Sequence, residues 1–350
     1  VLFRSVDRSR LNVPQPTYFD SGQQDGRMVF AIPREGKTYF GTTDTDYQGD
    51  FLHPRVEQAD VDYLLKTIND RYPEAEITID DVEASWAGLR PLIASNGSSD
   101  YNGGNSGKIT AQSFDEVIAI VDKYEKQLVS REDVEDVLNH LESTLSENKP
   151  NPSAVSRGSS LDVAQDGLIT LAGGKITDYR KMAAGAIALI AKLLKQRFNR
   201  NFNSIDSKHL QVSGGDIDPQ NVDATLSFFA KQGIESGLSK PEAEKIANLF
   251  GSNAARVFSQ IGRLPAAPGL SLAETISLHY SMEEEMTLTP VDYLLRRTNH
   301  LLFHHDAIAD LQQGVVDEMA RYFSWSAEQK QQHSQELQDV IAEAHLDYLR

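Results

Sequence analysis

The residues whose types and spacing most favour a ligand-binding site in this sequence are two glycines followed by a lysine, Gly173-Gly174-Lys175. Apolar residues 168–172 before them predict a short buried strand, and apolar residues at helical spacing over 179–194 predict a helix after them. Glycines at such a junction let the backbone approach a ligand closely, and the first N–H groups of the helix point toward it. With the Lys175 ammonium, the pattern favours a site for an anionic or electron-rich group. The alternative is an ordinary strand-to-helix turn with a surface lysine.

Two arginines could belong to the same site. Arg90 lies between Gly88 and Pro91 in an apolar segment, and Arg157 lies in a segment of small and hydroxyl-bearing residues. A guanidinium binds phosphate or carboxylate through two parallel hydrogen bonds, each worth roughly 1.5–3 kcal/mol. Each arginine alone could simply reach solvent from a strand end, whereas both around one glycine-rich helix start would form an anion clamp. The run Gly41-Thr-Thr-Asp44 could also line a ligand, or could form a turn.

Other catalytic signatures do not occur in the sequence. The nine histidines show no metal-ligand spacing, and the adjacent pair His304-His305 is expected at the surface, so we predict no metal site. The sequence contains no Gly-x-Ser-x-Gly elbow, no Walker loop and no Gly-x-Gly-x-x-Gly dinucleotide fingerprint.

Composition restricts the class of protein. A hydrophobic content of 40%, a charged content of 24% and 350 residues are typical of a globular protein with a sizeable core. The net charge of −17 argues against nucleic acid and anionic membranes as partners. The chain has no cysteine and no apolar run of transmembrane length, so we expect a cytoplasmic protein without disulfides.

The elements that would position these residues fall into four predicted segments. Residues 1–94 are predicted to form a sheet with a hairpin at 27–41 and strands near 77–79 and 82–93. One helix in this segment is predicted to end at Pro73. Residues 95–150, with eleven acidic and five basic residues, are predicted to form an acidic helical insert. Its two helices would begin at capping boxes of Ser113 with Glu116 and of Ser130 with Asp133.

Residues 151–200 return to the sheet part, and residues 201–350 are predicted to form a separate helical domain. The helix-start signals in that domain are Ser239 with Glu242, Thr289 with Pro290 and Asp292, and Ser326 with Gln329.

The first residues of the sequence suggest that its true beginning is missing. The sequence has no initiator Met, and residues 1–5 could be the translation of a sequencing-adapter end. We therefore expect the 350 residues to be a fragment of a longer reading frame.

Several long runs, in this order, resemble the FAD-dependent glycerol-3-phosphate dehydrogenases, and most closely their alpha-glycerophosphate oxidase branch. The runs next to the expected flavin are residues 25–47, 84–93, 153–162 and 172–181, and those in the expected helical cap are residues 249–254 and 285–298. The resemblance implies an α/β (α+β) flavoprotein of the glycine/D-amino-acid oxidase type, here truncated, with a C-terminal all-helical domain.

The resemblance also implies a reaction. Such an enzyme oxidises sn-glycerol 3-phosphate to dihydroxyacetone phosphate by hydride transfer to FAD, and in the oxidase branch dioxygen reoxidises the flavin and yields hydrogen peroxide. The 95–150 insert resembles the one in the oxidases, which favours dioxygen over quinone. The expected partners are glycerol 3-phosphate and dioxygen or quinone, without nucleic acid, and a homodimer is expected.

Carried over by position, the resemblance assigns site residues. The catalytic residues would be Arg90, Arg157 and Lys175, and the two arginines would bind the substrate phosphate or its reacting hydroxyl end. The FAD-binding residues would be Gly173, Gly174, Lys175, Ile176 and Thr177.

Three alternatives stay open. One is a quinone-linked dehydrogenase with the same fold, and another is a related flavoprotein that oxidises an amine or amino acid. The third is a non-catalytic phosphometabolite-binding module. The glycine-rich FAD fingerprint of the family's N-terminal half is not in this sequence, so we expect this chain alone to be inactive and the full-length protein to be active.

Overall fold

The computed structural model describes residues 2–43, 45, 47–89, 111–126, 129–131, 134 and 159–350. Contacts between Cα atoms divide the chain into two compact units. One contains Val1–Thr43, Gln48–Leu89 and Gln211–Arg350, and the other contains Asp44–Tyr47 and Arg90–Leu210. The first unit thus groups the sheet with the helices from Gln211 onward, and the four segment boundaries drawn from the sequence stay a prediction.

The first unit contains a five-stranded antiparallel sheet in the order β2-β3-β4-β1-β5. Its strands are β1 (Leu2–Asp7), β2 (Thr17–Asp20), β3 (Met28–Arg34), β4 (Lys37–Thr43) and β5 (Val82–Ala87). The predicted β3–β4 hairpin is confirmed. Its two turn residues, Glu35 and Gly36, have φ angles of 52° and 82°, which is the two-residue turn that matches the twist of a hairpin.

One face of this sheet packs against helix α1 (Gln58–Arg71). Val61, Leu64 and Ile68 recur at helical spacing and are fully buried against Val6 and Phe40 of the sheet. The helix ends at Arg71 with Tyr72 as its C-cap, directly before Pro73, as predicted. The C-terminal end of the chain lies on the same core through Leu346.

The strand predicted near residues 77–79 is wrong. Ile77 is buried, but its backbone N–H and C=O bond the side-chain amide of Asn69 at 2.7 Å and 2.8 Å rather than a neighbouring strand. Residues Ile79–Asp81 then form a 3₁₀ turn that leads into β5. A short apolar run does not distinguish a strand from a buried turn, and here a side chain satisfies the backbone groups.

The rest of the first unit is helical, as predicted. Its α-helices are α4 (Val222–Glu235), α5 (Lys240–Phe250), α6 (Ala254–Phe258), α7 (Leu272–Glu284), α8 (His300–Phe303), α9 (Ile308–Phe323) and α10 (Ala327–Ala344), with a π-helix at Asp292–Arg297. The predicted capping boxes, Ser239 with Glu242 and Ser326 with Gln329, are confirmed. Two apolar clusters hold these helices, one among α4–α7 and one among α7–α10.

The second unit contains helix α2 (Ala111–Glu125), the hairpin β6 (Ser159–Val163) and β7 (Ile169–Gly173), and helix α3 (Tyr179–Phe198). Helix α2 begins at Ala111, so Ser113 lies inside the helix and the cap predicted there is wrong. The second cap predicted in the insert, at Ser130 with Asp133, lies partly outside the described residues. Across the described part of the chain, every helix is too short or too polar to cross a lipid bilayer.

Candidate functional site

The predicted strand–glycine–helix junction is present in the second unit. Strand β7 ends at Gly173, and Gly173 and Gly174 have φ angles of 73° and 82°. Lys175 is extended, with φ −87° and ψ 144°, and it precedes a single 3₁₀ turn at Ile176–Asp178 that runs into α3. Because both glycines lie in the left-handed region, the chain reverses here without the steric cost that a side chain would add.

Gly174 packs closely against its surroundings. A Cβ atom built there would collide with the Sδ atom of Met182 and lie 3.3 Å from the Cβ of Ser159. Met182 belongs to the first turn of α3 and Ser159 to β6, so the missing side chain allows the turn to lie directly on both elements. This packing fixes the turn, and a helix start leaves its first N–H groups without intrahelical acceptors.

The side chains around this turn are largely exposed. Ile176 is 88% exposed and Leu168 is 64% exposed, and Leu171 and Tyr179 also lie at the surface. The prediction that residues 168–172 form a buried strand is therefore correct for the strand but wrong for its burial. A two-stranded hairpin buries side chains only where another layer covers it, and the described residues of this chain leave these apolar side chains uncovered.

The net charge of the side chains at the junction is positive, because Lys175, Arg180 and Lys181 outnumber Asp178 of the 3₁₀ turn. Lys175 precedes the helix, Arg180 and Lys181 follow in its first turn, and the Arg180 guanidinium lies 3.4 Å from the Ser207 hydroxyl. The partial positive charge of a helix N-terminus adds to these side chains. The arrangement can therefore hold an anionic or electron-rich group against backbone N–H groups.

The structure brings together some of the predicted site residues. Gly173, Gly174, Lys175, Ile176 and Thr177 form one continuous turn from the end of β7 into the 3₁₀ turn before α3. Arg90, Arg157 and Asp44 lie outside the described residues. The roles assigned to all of these residues stay predictions.

The sequence analysis missed a buried charged network in the helical part of the first unit. The Glu274 carboxylate of α7 lies 2.8 Å from the Lys245 ammonium, 3.1 Å from the Nε2 atom of His300 and 2.7 Å from the hydroxyl of Tyr293. His300 and Tyr293 are almost fully buried, and all four side chains line one pocket. These residues are spread over 56 positions of the sequence, so no local spacing could have revealed the network.

The surroundings of this network set its protonation. Burial alone would raise the pKa of Glu274, but the hydrogen bond and charge of His300, together with Lys245, hold that pKa well below its usual value. Burial, reinforced by the charge of Glu274, raises the pKa of Tyr293 well above its usual value. In this network the Glu274 carboxylate is therefore ionised and paired with positive charge, and the Tyr293 phenol is neutral.

The neighbouring pair His304-His305 is half-buried, so the expectation that it lies at the surface is wrong. The Nε2 atom of His304 lies 2.8 Å from the Glu35 carboxylate in the β3–β4 turn. Burial, and next the charges of His300 and Lys245, lower the pKa of His304. Within the described ranges, no three His, Asp or Glu side chains form a group that could hold a metal ion.

Two family models match the chain. Residues 5–107 match the FAD dependent oxidoreductase family, and residues 205–330 match the C-terminal domain of alpha-glycerophosphate oxidase. The first range covers the five-stranded sheet of the first unit, and the second covers most of its helices. Fold and matches together give a chain of mixed α/β structure that combines a part matching the FAD dependent oxidoreductase family model with a C-terminal helical domain, which confirms the predicted fold class.

Relatives are found over nearly the whole chain. The chain is 55% identical over 345 residues to the alpha-glycerophosphate oxidase of Streptococcus pneumoniae serotype 4, covering 99% of this chain and 57% of that protein. It is 54% identical to the alpha-glycerophosphate oxidase of Lactococcus lactis, with coverages of 99% and 57%. A crystal structure of glycerol-3-phosphate dehydrogenase from Bacillus halodurans complexed with FAD superposes with a TM-score of 0.74 at 31% identity, covering 98% of this chain and 56% of that one.

The chain belongs to the family of FAD-dependent glycerol-3-phosphate dehydrogenases and alpha-glycerophosphate oxidases. This confirms the resemblance identified in the sequence. The chain spans a little over half the length of the relatives that it matches, 57% of the first two proteins.

Proposed function

We propose that the protein to which this chain belongs oxidises sn-glycerol 3-phosphate to dihydroxyacetone phosphate, with FAD as hydride acceptor. Two electrons and two protons leave the substrate, and dioxygen takes up both to give one hydrogen peroxide. The observation that carries the proposal is the Gly173-Gly174-Lys175 turn at the start of α3, within a chain 55% identical to an alpha-glycerophosphate oxidase.

The residues at the turn suit a flavin. Gly173 and Gly174 have no side chain, so the backbone of this turn allows close approach of a planar ring. The N-terminus of α3 and Lys175 place positive charge beside it, and this charge stabilises an anion. FAD, when bound, supplies the hydride acceptor. Gly173, Gly174, Lys175, Ile176 and Thr177 would hold it.

The proposed substrate roles belong to Arg90 and Arg157. Glycerol 3-phosphate carries a phosphate, and a guanidinium pairs with phosphate through two parallel hydrogen bonds. In a protein of net charge −17, a substrate anion needs such local positive charge to bind. These arginines would therefore hold the phosphate or the reacting hydroxyl end, and Lys175 would act beside the flavin.

Reduction of the flavin by substrate tests the proposal. The protein from the complete reading frame is mixed with glycerol 3-phosphate under anaerobic conditions, and its visible flavin absorbance is followed. We expect the colour to bleach and to return in air with one hydrogen peroxide per flavin reoxidised. Absence of bound flavin, or absence of bleaching, would contradict the proposed chemistry.

The same experiment separates the proposed electron acceptor from the alternative. Slow return of colour in air with little peroxide, and rapid return with a soluble quinone, would identify a quinone-linked dehydrogenase. Bleaching by an amino acid instead of glycerol 3-phosphate would identify the amine-oxidising alternative. Cytoplasmic location and a homodimer stay predictions, which cell fractionation and sedimentation test.

A further inference from the structure

We propose that residues 304–307 form an acid-sensitive joint, in which protonation of His304 and His305 weakens the contacts of this segment with the β3–β4 turn and with the C-terminal end of α10. The joint connects α8 to α9 and consists of His304 and a single 3₁₀ turn at His305–Ala307. The inference does not depend on the proposed function, because it concerns contacts within the first compact unit.

The first contact of the joint is with the hairpin turn. The Nε2 atom of His304 lies 2.8 Å from one oxygen of the Glu35 carboxylate, and the other oxygen accepts from the Arg34 guanidinium at 3.1 Å. A neutral imidazole can donate its Nε2–H to a carboxylate. This contact therefore forms without a charge on His304, and the carboxylate already has a cationic partner.

Positive charge faces His304 from the helices. Its ring lies 5.5 Å from the ring of His300, and the Lys245 ammonium of α5 lies 3.4 Å from the Nε2 atom of His300. The Glu274 carboxylate of α7 also faces His300, but it is shared with Lys245 at 2.8 Å. Protonation of His304 therefore places a charge near an ammonium and, once His300 is protonated, beside a second imidazolium.

The second contact of the joint is with the end of α10. The rings of His305 and His345 lie 5.4 Å apart. The other charges that face His305 are those of Asp306 on the same turn, Lys37 of β4 and Arg350. The Nε2 atom of His305 is buried and has no hydrogen-bond partner among the described residues. Three basic side chains thus oppose a charge on His305, and one carboxylate favours it.

The carboxylates of the surrounding elements already pair with these basic groups. Lys37 is buried and lies 3.2 Å from the Asp7 carboxylate of β1 and 2.8 Å from the Glu83 carboxylate of β5. The Nδ1 atom of His345 lies 2.6 Å from the Asp347 carboxylate. These pairs hold Lys37 and His345 in place, so a proton on the joint meets neighbours that keep their positions.

Apolar packing holds the elements on either side of the joint. Leu301 and Phe303 of α8 are buried, and the Phe303 ring packs on Trp86 of β5. Ile308 is buried at the start of α9. The joint between them is one 3₁₀ turn, and such a turn has little stability of its own. Loss of its polar contacts can therefore open the joint while α8 and α9 stay packed.

The direction of the pH effect follows from burial and from these charges. Burial, and next the charge of the neighbouring histidine, lower the pKa of both His304 and His305. A histidine with a lowered pKa in the folded form costs nothing above its ordinary pKa of 6.5 and destabilises that form as pH falls below it. Opening the joint returns both rings to water and removes this cost. Acid therefore favours the open joint.

Hydrogen exchange of the protein from the complete reading frame tests the inference. The amides of residues 304–307 and of the hairpin turn at residues 35–37 are followed at pH 8 and pH 5.5, with labelling times adjusted for the intrinsic exchange rate. Both pH values lie above the ordinary glutamate pKa of about 4.3, so histidines titrate while carboxylates stay ionised. We expect roughly threefold to tenfold weaker protection of both segments at pH 5.5, and no change in α1.

Two substitutions separate the two contacts. His304→Gln and His305→Gln each remove a titrating ring, and glutamine keeps an N–H donor for Glu35. We expect each variant to reduce the ratio of exchange between pH 5.5 and pH 8, and the double variant to bring that ratio close to one. The matched control His209→Gln removes an exposed histidine that lies 2.5 Å from Asp206, and it should leave the ratio unchanged. Because the ratio is taken within each variant, a general loss of stability cancels.

Three results would overturn the inference. The first is equal protection of the joint at the two pH values in the unmodified protein. The second is an unchanged ratio in the double variant, which would assign the pH effect to other groups. The third is an equal reduction of the ratio by the control His209→Gln. Each result leaves the proposed function untouched, because exchange is measured without substrate.

Discussion

At the scale of single residues, Gly174 is the residue of the proposed FAD site whose backbone conformation and packing both require glycine. Its φ of 82° and the collision of a Cβ with Met182 both oppose any side chain. We predict that Gly174→Ala abolishes tight FAD binding by the protein from the complete reading frame, as measured by flavin retained on gel filtration. The control is Gly185→Ala in the same helix α3, where a Cβ would meet open space. Equal flavin retention by Gly174→Ala and the control would refute this.

Arg4 is the least well accommodated charge in the first unit. It is 0% exposed, and its three guanidinium nitrogens make no hydrogen bond in the described part of the chain. Burial lowers its pKa to about 10, partly opposed by the charges of Asp60 and Tyr348. The cost of burying the cation is therefore fully present at neutral pH and disappears only above pH 10, where the folded form loses the proton.

We predict that Arg4→Met raises the free energy of unfolding by about 1–3 kcal/mol, because an apolar side chain of similar length removes this cost. Thermal unfolding at pH 7 measures the effect. Arg8→Met, at an exposed arginine in the turn directly after β1, should change stability by less than about 0.5 kcal/mol. A lower melting temperature for Arg4→Met would show that the guanidinium is stabilised in a way that burial does not explain.

Glu274 differs from Arg4 because its buried charge is paired, with Lys245 and His300. We predict that Glu274→Gln costs about 3–5 kcal/mol, because Lys245 and His300 then lose their counter-charge. The native stabilisation is present above the ordinary glutamate pKa of 4.5 and is lost as pH falls below it, since the folded pKa is lowered. Urea unfolding from pH 3 to pH 7 should therefore show the difference between the two proteins shrinking toward acid. The control Glu284→Gln removes an exposed pair with Arg256 and should cost at most about 1 kcal/mol at any pH.

At the scale of elements, the helix starts are set by local chemistry. Ser326 caps α10, its hydroxyl accepting from the Gln329 N–H at 3.2 Å while the Gln329 side chain accepts from the Ser326 N–H at 2.9 Å. We predict that Ser326→Ala lowers the free energy of unfolding by about 1 kcal/mol, seen as a lower urea midpoint with an unchanged slope. Ser334→Ala, inside the same helix, should be neutral or stabilising because alanine is the better helix former. A neutral Ser326→Ala would mean that α10 is held by packing alone.

Elements also show where local patterns fail. The Asn69 side chain replaces a strand partner at Ile77, and helix α2 begins two residues before the serine that the sequence favoured as its cap. At Ile77 the competing structure depends on backbone groups satisfied by a side chain eight residues away, which a short window does not include.

At the scale of the whole molecule, the exposed apolar side chains around the Gly173–Thr177 turn matter most. Ile187 of α3 is exposed together with Ile176, Leu168 and Tyr179, so the described residues of this chain leave these side chains at the proposed flavin site open to water. We predict that the 350-residue chain alone binds FAD weakly and does not turn over glycerol 3-phosphate, whereas the protein from the complete reading frame does both. Flavin titration by fluorescence and oxygen uptake measure this. Stoichiometric flavin or sustained turnover in the isolated chain would contradict it.

The sequence by itself determined the features that depend on neighbours along the chain. The hairpin at Glu35-Gly36, the end of α1 at Pro73, the capping boxes and the strand–glycine–helix junction follow from spacing and backbone preference. Long collinear runs also determined the family, because such runs specify many positions at once.

Tertiary structure alone decided the features that join distant residues. The Glu274 network, the pairing of His304 with Glu35, the burial of Arg4 and the packing of Phe303 on Trp86 all bring together side chains from separate segments. Helical and strand periods show which face of an element is apolar, but not which element will cover it. Burial, and the pKa and pairing that depend on it, exist only once the chain has folded.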